Sequence, residues 1–205
     1  MADSYNLHYA ELVLQDEVSD MFCEERVAQM AAYLLSKDGG RMPYLKLMKL
    51  LYLSDRESMN RFGESLSGDH MVAMPHGPVL SRSLDMINDR EQGQEIWKSW
   101  VDKPDRYDLA LKRQHFDRND LDELSDSDLS ILENVYCTFG HMDKWEIRDY
   151  THEKCAEWKD PKGGSYPITP ESVFSALGKS DEQVRLLSDR MREFSELARI
   201  TSGLK

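Results

Sequence analysis

Cysteine is scarce in this chain. Its 205 residues hold three, Cys23, Cys137 and Cys155, widely spaced and without a Cys-x-x-Cys pair. Neither a disulfide framework nor a thiolate zinc site is indicated, and the thiols are expected to be reduced and mostly buried. Long apolar runs are also missing. Hydrophobic residues make up 40% and charged residues 31%, with a mean hydropathy of -0.64, and no run reaches the roughly 18 apolar positions of a membrane-spanning helix. Positive charge is in deficit: 26 Lys and Arg face 38 Asp and Glu, for a net charge of -12. Sequence-independent binding to DNA or RNA draws its affinity from Lys and Arg on phosphates, so nucleic acid is not an expected partner. Residues 1 to 25 carry seven acids and no Lys or Arg, whereas secretory and mitochondrial leaders begin basic, and a cytoplasmic location is expected.

Catalytic signatures are lacking too. His70, His76, His115, His141 and His152 stand singly, with no His pair at helical spacing for a metal. There is no Gly-x-Ser-x-Gly nucleophile elbow and no glycine-rich phosphate loop followed by Lys and Ser or Thr. No cofactor, metal or enzymatic activity is therefore expected. With so many carboxylates, Asp120, Asp122 and Glu123 do not single themselves out as an acid/base pair. They belong to an acidic stretch over 117–133, seven acids against Arg118 alone. Such a stretch is either solvated surface or a field that draws in a basic protein partner, and neutralising these three acids is expected to leave stability nearly unchanged.

What is present is helical periodicity with clear punctuation. Cys23, Val27, Met30, Ala31 and Leu34 predict a helix over about 21–37, stopped by Gly39 and Gly40. Leu45, Met48, Leu51, Tyr52 and Met59 predict a central helix from Pro43 to about 61. Met71 to Met74 reads as a short strand and Pro78 as the opening of a helix to Asp89. Ile96 to Val101 with Tyr107, Leu109 and Leu111 reads as a second hairpin able to join the first strand. Ser125 with Asp128, Asp143, Thr169 with Pro170, and Ser180 with Gln183 mark four further helix starts. The last helix, about 181–200, has a narrow apolar face that either packs on the core or makes an intermolecular seam such as a homodimer. The fold class is mainly α with a small β element: one compact helical domain with one or two short hairpins. It divides into an acidic extension over 1–20, the domain proper over 21–178 and the C-terminal helix over 179–205.

Candidate binding residues follow from backbone stiffness and aromatic anchoring. His76 lies between Pro75 and Gly77-Pro78, so its imidazole is held in a set direction, toward a local hydrogen bond or toward a partner. His152 falls near the end of a predicted helix, where a cation suits the dipole. Trp145 and Trp158 flank that helix, either as core or as anchors of an interface.

Four strings in order, KLMKLLYLSD (Lys46 to Asp55), MPHGPV (Met74 to Val79), LSDSDLSILENVY (Leu124 to Tyr136) and YTHEKCAEW (Tyr150 to Trp158), resemble the Panacea domain. This family is also described as SocA-like antitoxins or phage-associated GepA-like proteins, and the resemblance spans about residues 22–178. Gly77, Pro78 and Val79 match its Gly-Pro-Val turn, and Thr151, His152 and Trp158 match its hydroxyl-His and downstream Trp. The resemblance implies a mainly helical antitoxin that binds and masks a toxin encoded beside it, or an adaptor that delivers its client to an AAA+ protease. No catalytic residue comes with it. The partner surface expected on this reading comprises His76, Pro78, Trp145, His152 and Trp158, with Asp120, Asp122 and Glu123 as steering charges toward a basic toxin.

Overall fold

The structure is a computed structural model that describes residues 21–90, 94–113 and 115–202; the acidic extension expected over 1–20 lies outside the described residues. Apolar residues at three- and four-residue steps build α1 (Glu24–Lys37) and α2 (Tyr44–Phe62). Helix α2 is buried along most of its length, from Lys46 to Asp55 and again at Ser58 and Met59, and α1 packs against it. It ends at Gly63, whose φ of 75° is the left-handed geometry that closes a helix, with its N–H donated to the Met59 carbonyl.

Around this axis run two small antiparallel sheets. In the first, β1 (Arg41–Pro43), β5 (Asp108–Leu111) and β4 (Val101–Asp102) lie in the order β1-β5-β4, with Met42 opposite Leu109. In the second, β3 (Gly77–Leu80), β2 (Met71–Met74) and β6 (Tyr166–Pro167) lie in the order β3-β2-β6, with Ala73 opposite Pro78 and Tyr166. The expected merging of the two hairpins therefore does not occur. Each takes its third strand from a segment distant in sequence.

Two helix boundaries differ from the sequence reading, both because a carboxylate remote in sequence supplies the cap. Pro78 sits inside β3, and the following helix α3 begins only at Ser81 (Ser81–Ile87). There the buried Asp69 accepts the N–H groups of Arg82 and Ser83 and the Ser83 hydroxyl. Residues Glu95–Trp100, read as strand from their β-prone aromatics, form helix α4, because Glu24 of α1 accepts the Trp97 N–H at 2.8 Å. Trp97 and Trp100 then fill the core beside α1.

Locally capped helices fall where their signals stand. Capping boxes open α5 (Asp126–Phe139) at Ser125 and Asp128, and α6 (Lys144–Lys154) at Asp143 and Glu146. Thr169 caps α7 (Pro170–Ala176), and Ser180 with Gln183 opens α8 (Asp181–Ser202). Helices α5 and α6 both pack on α2. On α8, Val184, Leu187 and Met191 meet the core while Leu186, Phe194, Leu197 and Ile200 are exposed. Of the cysteines only Cys155 is buried; Cys23 is half-buried and Cys137 exposed, and all three are free. Among the described residues no helix is long and apolar enough to cross a membrane.

The loop between α2 and β2 is tied down by Asp55, a fully buried carboxyl that accepts from the Ser65 hydroxyl (2.7 Å), the Ser67 N–H (2.8 Å) and the Ser67 hydroxyl (2.5 Å). Burial pushes its pKa up to about 6, against the lowering effect of these hydrogen bonds. The folded chain therefore holds a proton that the unfolded chain releases near 3.8, so the contribution of Asp55 to stability is fully present below that value and is lost as pH rises to about 6. Asp55→Asn is expected to flatten that slope, a difference on the order of 3 kcal/mol across the window, read from urea midpoints at pH 4 and pH 7.

Candidate functional site

Lys49 lies in the middle of α2 with no exposed surface, and its Nζ donates to the Pro78 carbonyl at 2.6 Å. Burial pushes this amine down to about 7; Cys155 nearby opposes the shift and Arg148 adds to it. Over the amine passes the turn that joins β2 to β3. Pro75 and His76 are exposed at its tip, and Gly77 follows with φ of 93°. A Cβ at Gly77 would stand 2.8 Å from Lys49 Nζ, 3.0 Å from Thr151 Oγ1 and 3.1 Å from His152 Cδ2. Glycine is required here both by the backbone angle and by the space.

The last turn of α6 forms the far wall. The Thr151 hydroxyl is spent on the Arg148 carbonyl at 2.7 Å. The His152 ring stacks on Trp158, centroids 3.9 Å apart and planes 7° from parallel. Trp158 Nε1 donates to the Met74 carbonyl at 3.0 Å. The two ends of the turn are thus held from below, Met74 by Trp158 and Pro78 by Lys49. His152 Nε2 is buried without a hydrogen-bond partner. Burial, then the Lys49 and Arg148 charges, hold the His152 pKa below its ordinary value. Desolvation and the Lys49 and Arg148 charges thus work against the cation that the end of a helix would favour.

A polar triad fastens the segment after α6 back to α2. Tyr52 Oη donates to Glu157 Oε1 at 2.5 Å and Arg56 Nε reaches the same oxygen at 2.6 Å, with the Glu157 side chain wholly buried. Burial, followed by the neighbouring Glu157 charge, pushes the Tyr52 phenol up, and the same two causes raise the Cys155 thiol to about 12. Cys155 is accordingly an inert packing thiol rather than a nucleophile.

The strings that stand far apart in the sequence meet at this place. Lys49, Tyr52 and Arg56 come from α2, Gly77 and Pro78 from the turn, and Thr151, His152, Cys155 and Trp158 from α6 and the residues after it. A family model described as antitoxin SocA-like, Panacea domain, matches residues 47–159. The chain belongs to this family. No curated protein and no solved structure matches it. The Panacea domain matched here thus runs from the turn of α2 that carries Lys49 to the indole that stacks on His152.

Of the residues expected at a partner surface, the structure brings Pro78, His152 and Trp158 together beneath the turn that exposes His76. Pro78 is buried, so it shapes the turn and does not face solvent. Trp145 lies at the other end of α6, 47% exposed, with the Lys144 ammonium 5.2 Å and the Arg148 guanidinium 4.8 Å from its ring centre. The three acids occupy a different neighbourhood, with Asp122 and Glu123 against α1. Asp120 accepts the Asp117 N–H in the capping box of a short 3-10 turn, Asp122 accepts from buried Gln29 at 2.7 Å, and Glu123 faces Arg26 and the Cys23 thiol. Lys49 was the residue that sequence reasoning passed over. A lone lysine between apolar neighbours on a helix reads as solvated, and its one signal was its place in the central, most apolar stretch of α2. Among the described residues no group of three or more His, Cys, Asp or Glu is placed to hold a metal.

Two substitutions test this geometry. Gly77→Ala adds a methyl against Lys49 and strains the turn, at a cost on the order of 1–3 kcal/mol from the backbone angle alone, visible as a lower melting temperature. Asp122 also proves structural, contrary to the expectation that these acids could be neutralised without effect. Asp122→Ala leaves the buried Gln29 amide without its acceptor and should destabilise by about 1–3 kcal/mol in chemical denaturation.

Proposed function

We propose that the chain is the antitoxin of a two-gene pair, acting in the cytoplasm by binding a protein toxin encoded beside it and covering the surface the toxin needs. The observation that carries this reading is the family match over residues 47–159, which includes the exposed His76 turn and helix α6 with its exposed Trp145. The character of these two elements supports it further. The β2–β3 turn is pinned at Met74 and Pro78, so its tip presents His76 with little conformational freedom to lose on binding. Trp145 is a large, half-exposed ring on the first turn of a helix fixed by its capping box, the kind of side chain that anchors interfaces. The cluster under the turn is filled by its own side chains, which suits a binding face built for shape better than a cleft that receives a substrate. The acids of 117–133 and the net charge of -12 would draw a basic toxin toward the molecule at long range.

The test is growth of cells in which each adjacent open reading frame is induced alone and together with this chain. Arrest is expected from one neighbour and relief from co-expression. Leu51→Asp, which places a charge in the core and should unfold the domain at a cost of several kcal/mol, is expected to abolish relief. Trp145→Ala combined with His76→Ala is expected to leave the melting temperature within about 2 °C and to abolish relief as well. Arrest from neither neighbour would sink the antitoxin reading. Relief that survives the double substitution would move the binding face elsewhere.

A further inference from the structure

Helix α8 carries two apolar faces, and among the described residues only one of them is covered. Val184, Leu187 and Met191 lie against the core, and Ser188 is buried beside them. The helix is fastened on this side. Arg192 pairs with Glu171 of α7, Lys179 just ahead of the helix donates to the Asn60 carbonyl at 2.9 Å, and Leu187 packs against Gly63 so closely that a Cβ there would overlap it. Of the eight large apolar side chains that stand exposed among the described residues, four are on α8: Leu186, Phe194, Leu197 and Ile200. Leu186, Leu197 and Ile200 are each more than half exposed, at 58%, 57% and 56%. With about 3.6 residues per turn these three fall in one sector of the helix, turned away from the stripe that meets the core. A helix apolar on opposite sides is ordinarily covered on both.

The outward face has the spacing of a helix–helix seam. Gln183, Leu186, Arg190, Glu193, Leu197 and Ile200, all exposed, follow one another at alternating steps of three and four, the pattern that keeps one stripe against a partner helix. The order of residues along the stripe is its own complement. Two copies laid antiparallel about an axis midway between Arg190 and Glu193 bring Leu186 of one onto Leu197 of the other, Arg190 onto Glu193 and Gln183 onto Ile200, each layer occurring twice. Laid parallel, the same stripe would set Arg190 on Arg190 and Glu193 on Glu193. Slid by one heptad toward the C-termini, the antiparallel pair would set Arg190 on Ile200 and Glu193 on Leu197, leaving each charge against an apolar side chain. Charge thus selects one direction and one register. Arg190 also reaches Glu64 at 3.6 Å and lies over the Phe194 ring, 5.2 Å from its centre. The contact with Glu64 joins two half-exposed groups, is worth little and leaves Arg190 able to share its charge with a second carboxylate.

We propose that the outward face of α8 is a self-association seam through which two copies of this chain pair, antiparallel and two-fold symmetric, with the Arg190 and Glu193 layers at the centre and the Leu186 and Leu197 layers on either side. A two-fold contact requires a surface complementary to itself, whereas a foreign partner imposes no such requirement, and the self-complementarity of this stripe is what assigns it to a second copy. Helix α8 is held to α2 and α7 by its other face, so the seam is presented with little freedom to lose on pairing. It lies outside the matched residues 47–159 and includes neither His76 nor Trp145. The dimer therefore stands or falls independently of the antitoxin reading.

Sedimentation of the full chain over a range of concentrations tests it. One pair of helices is a small interface, so the mean mass is expected near twice the 23.8 kDa of one chain at about 200 µM and near 23.8 kDa at about 1 µM. Leu197→Asp, at an exposed position, should keep the parent's circular dichroism and hold the mass at that of one chain throughout. Arg190→Glu and Glu193→Arg each place like charges in both central layers and should each weaken association at least about ten-fold. An equimolar mixture of these two variants restores opposite charges in both layers and should return association to the parent's level. A dimer that ignores Leu197→Asp and both charge reversals overturns the proposal, as does a mixture that fails to recover. A parent that stays monomeric at about 200 µM overturns it too. In that case a dimer that appears only on removal of residues 1–20 assigns the face to that segment, and loss of growth relief with Leu197→Asp assigns it to the toxin.

Discussion

The burial of Lys49 under a single glycine is the constraint on which the rest of this molecule turns. To place an amine in the core, α2 must be covered on all sides, and its cover consists of α1, α5, α6 and the small β3-β2-β6 sheet. To bring an acceptor within 2.6 Å, the chain must cross directly above the amine, and only a residue without a Cβ can do so. To keep that crossing in place, the segment beyond α6 must return Trp158 to the Met74 carbonyl, and the buried Glu157 must find Tyr52 and Arg56 on α2. Each requirement calls up the next, which is why three stretches of sequence separated by tens of residues share one small volume.

That volume carries the family match, and its chemistry is that of a framework. The thiol is held neutral, the histidine is held from charging, and the threonine hydroxyl is committed to a backbone carbonyl. The residues of the matched segment that meet here fix a turn and a helix relative to one another, and the tip of that turn, His76, is what reaches solvent.

The helices with local caps were legible because everything they need lies within four residues: Ser125 and Asp128, Asp143 and Glu146, Ser180 and Gln183 each satisfy end groups of their own helix. The two segments misread, Pro78–Leu80 and Glu95–Trp100, are decided by a hairpin partner or by caps that lie outside their own helical turn. Asp69 caps α3, Glu24 caps α4 across 73 residues, and Met71–Met74 claims Gly77–Leu80 as a strand. Local preference at Pro78 and at the aromatics of α4 was real, and tertiary contacts outweighed it. The role of Asp122 was hidden for the same reason, since a surface carboxylate and one that satisfies a buried amide look alike until Gln29 is seen beneath it.

By itself, then, the sequence determined the helical class, the central place of α2, the ends of most helices and the family, because periodicity, capping and ordered motifs are all local or linear properties. The tertiary structure alone decided which motif residues touch, that His152 is covered and disfavours a proton, and that one lysine among apolar neighbours is buried. Burial and charge are properties of a neighbourhood in three dimensions: Lys49 becomes unusual only when Gly77, Thr151, His152 and Arg148 close around it.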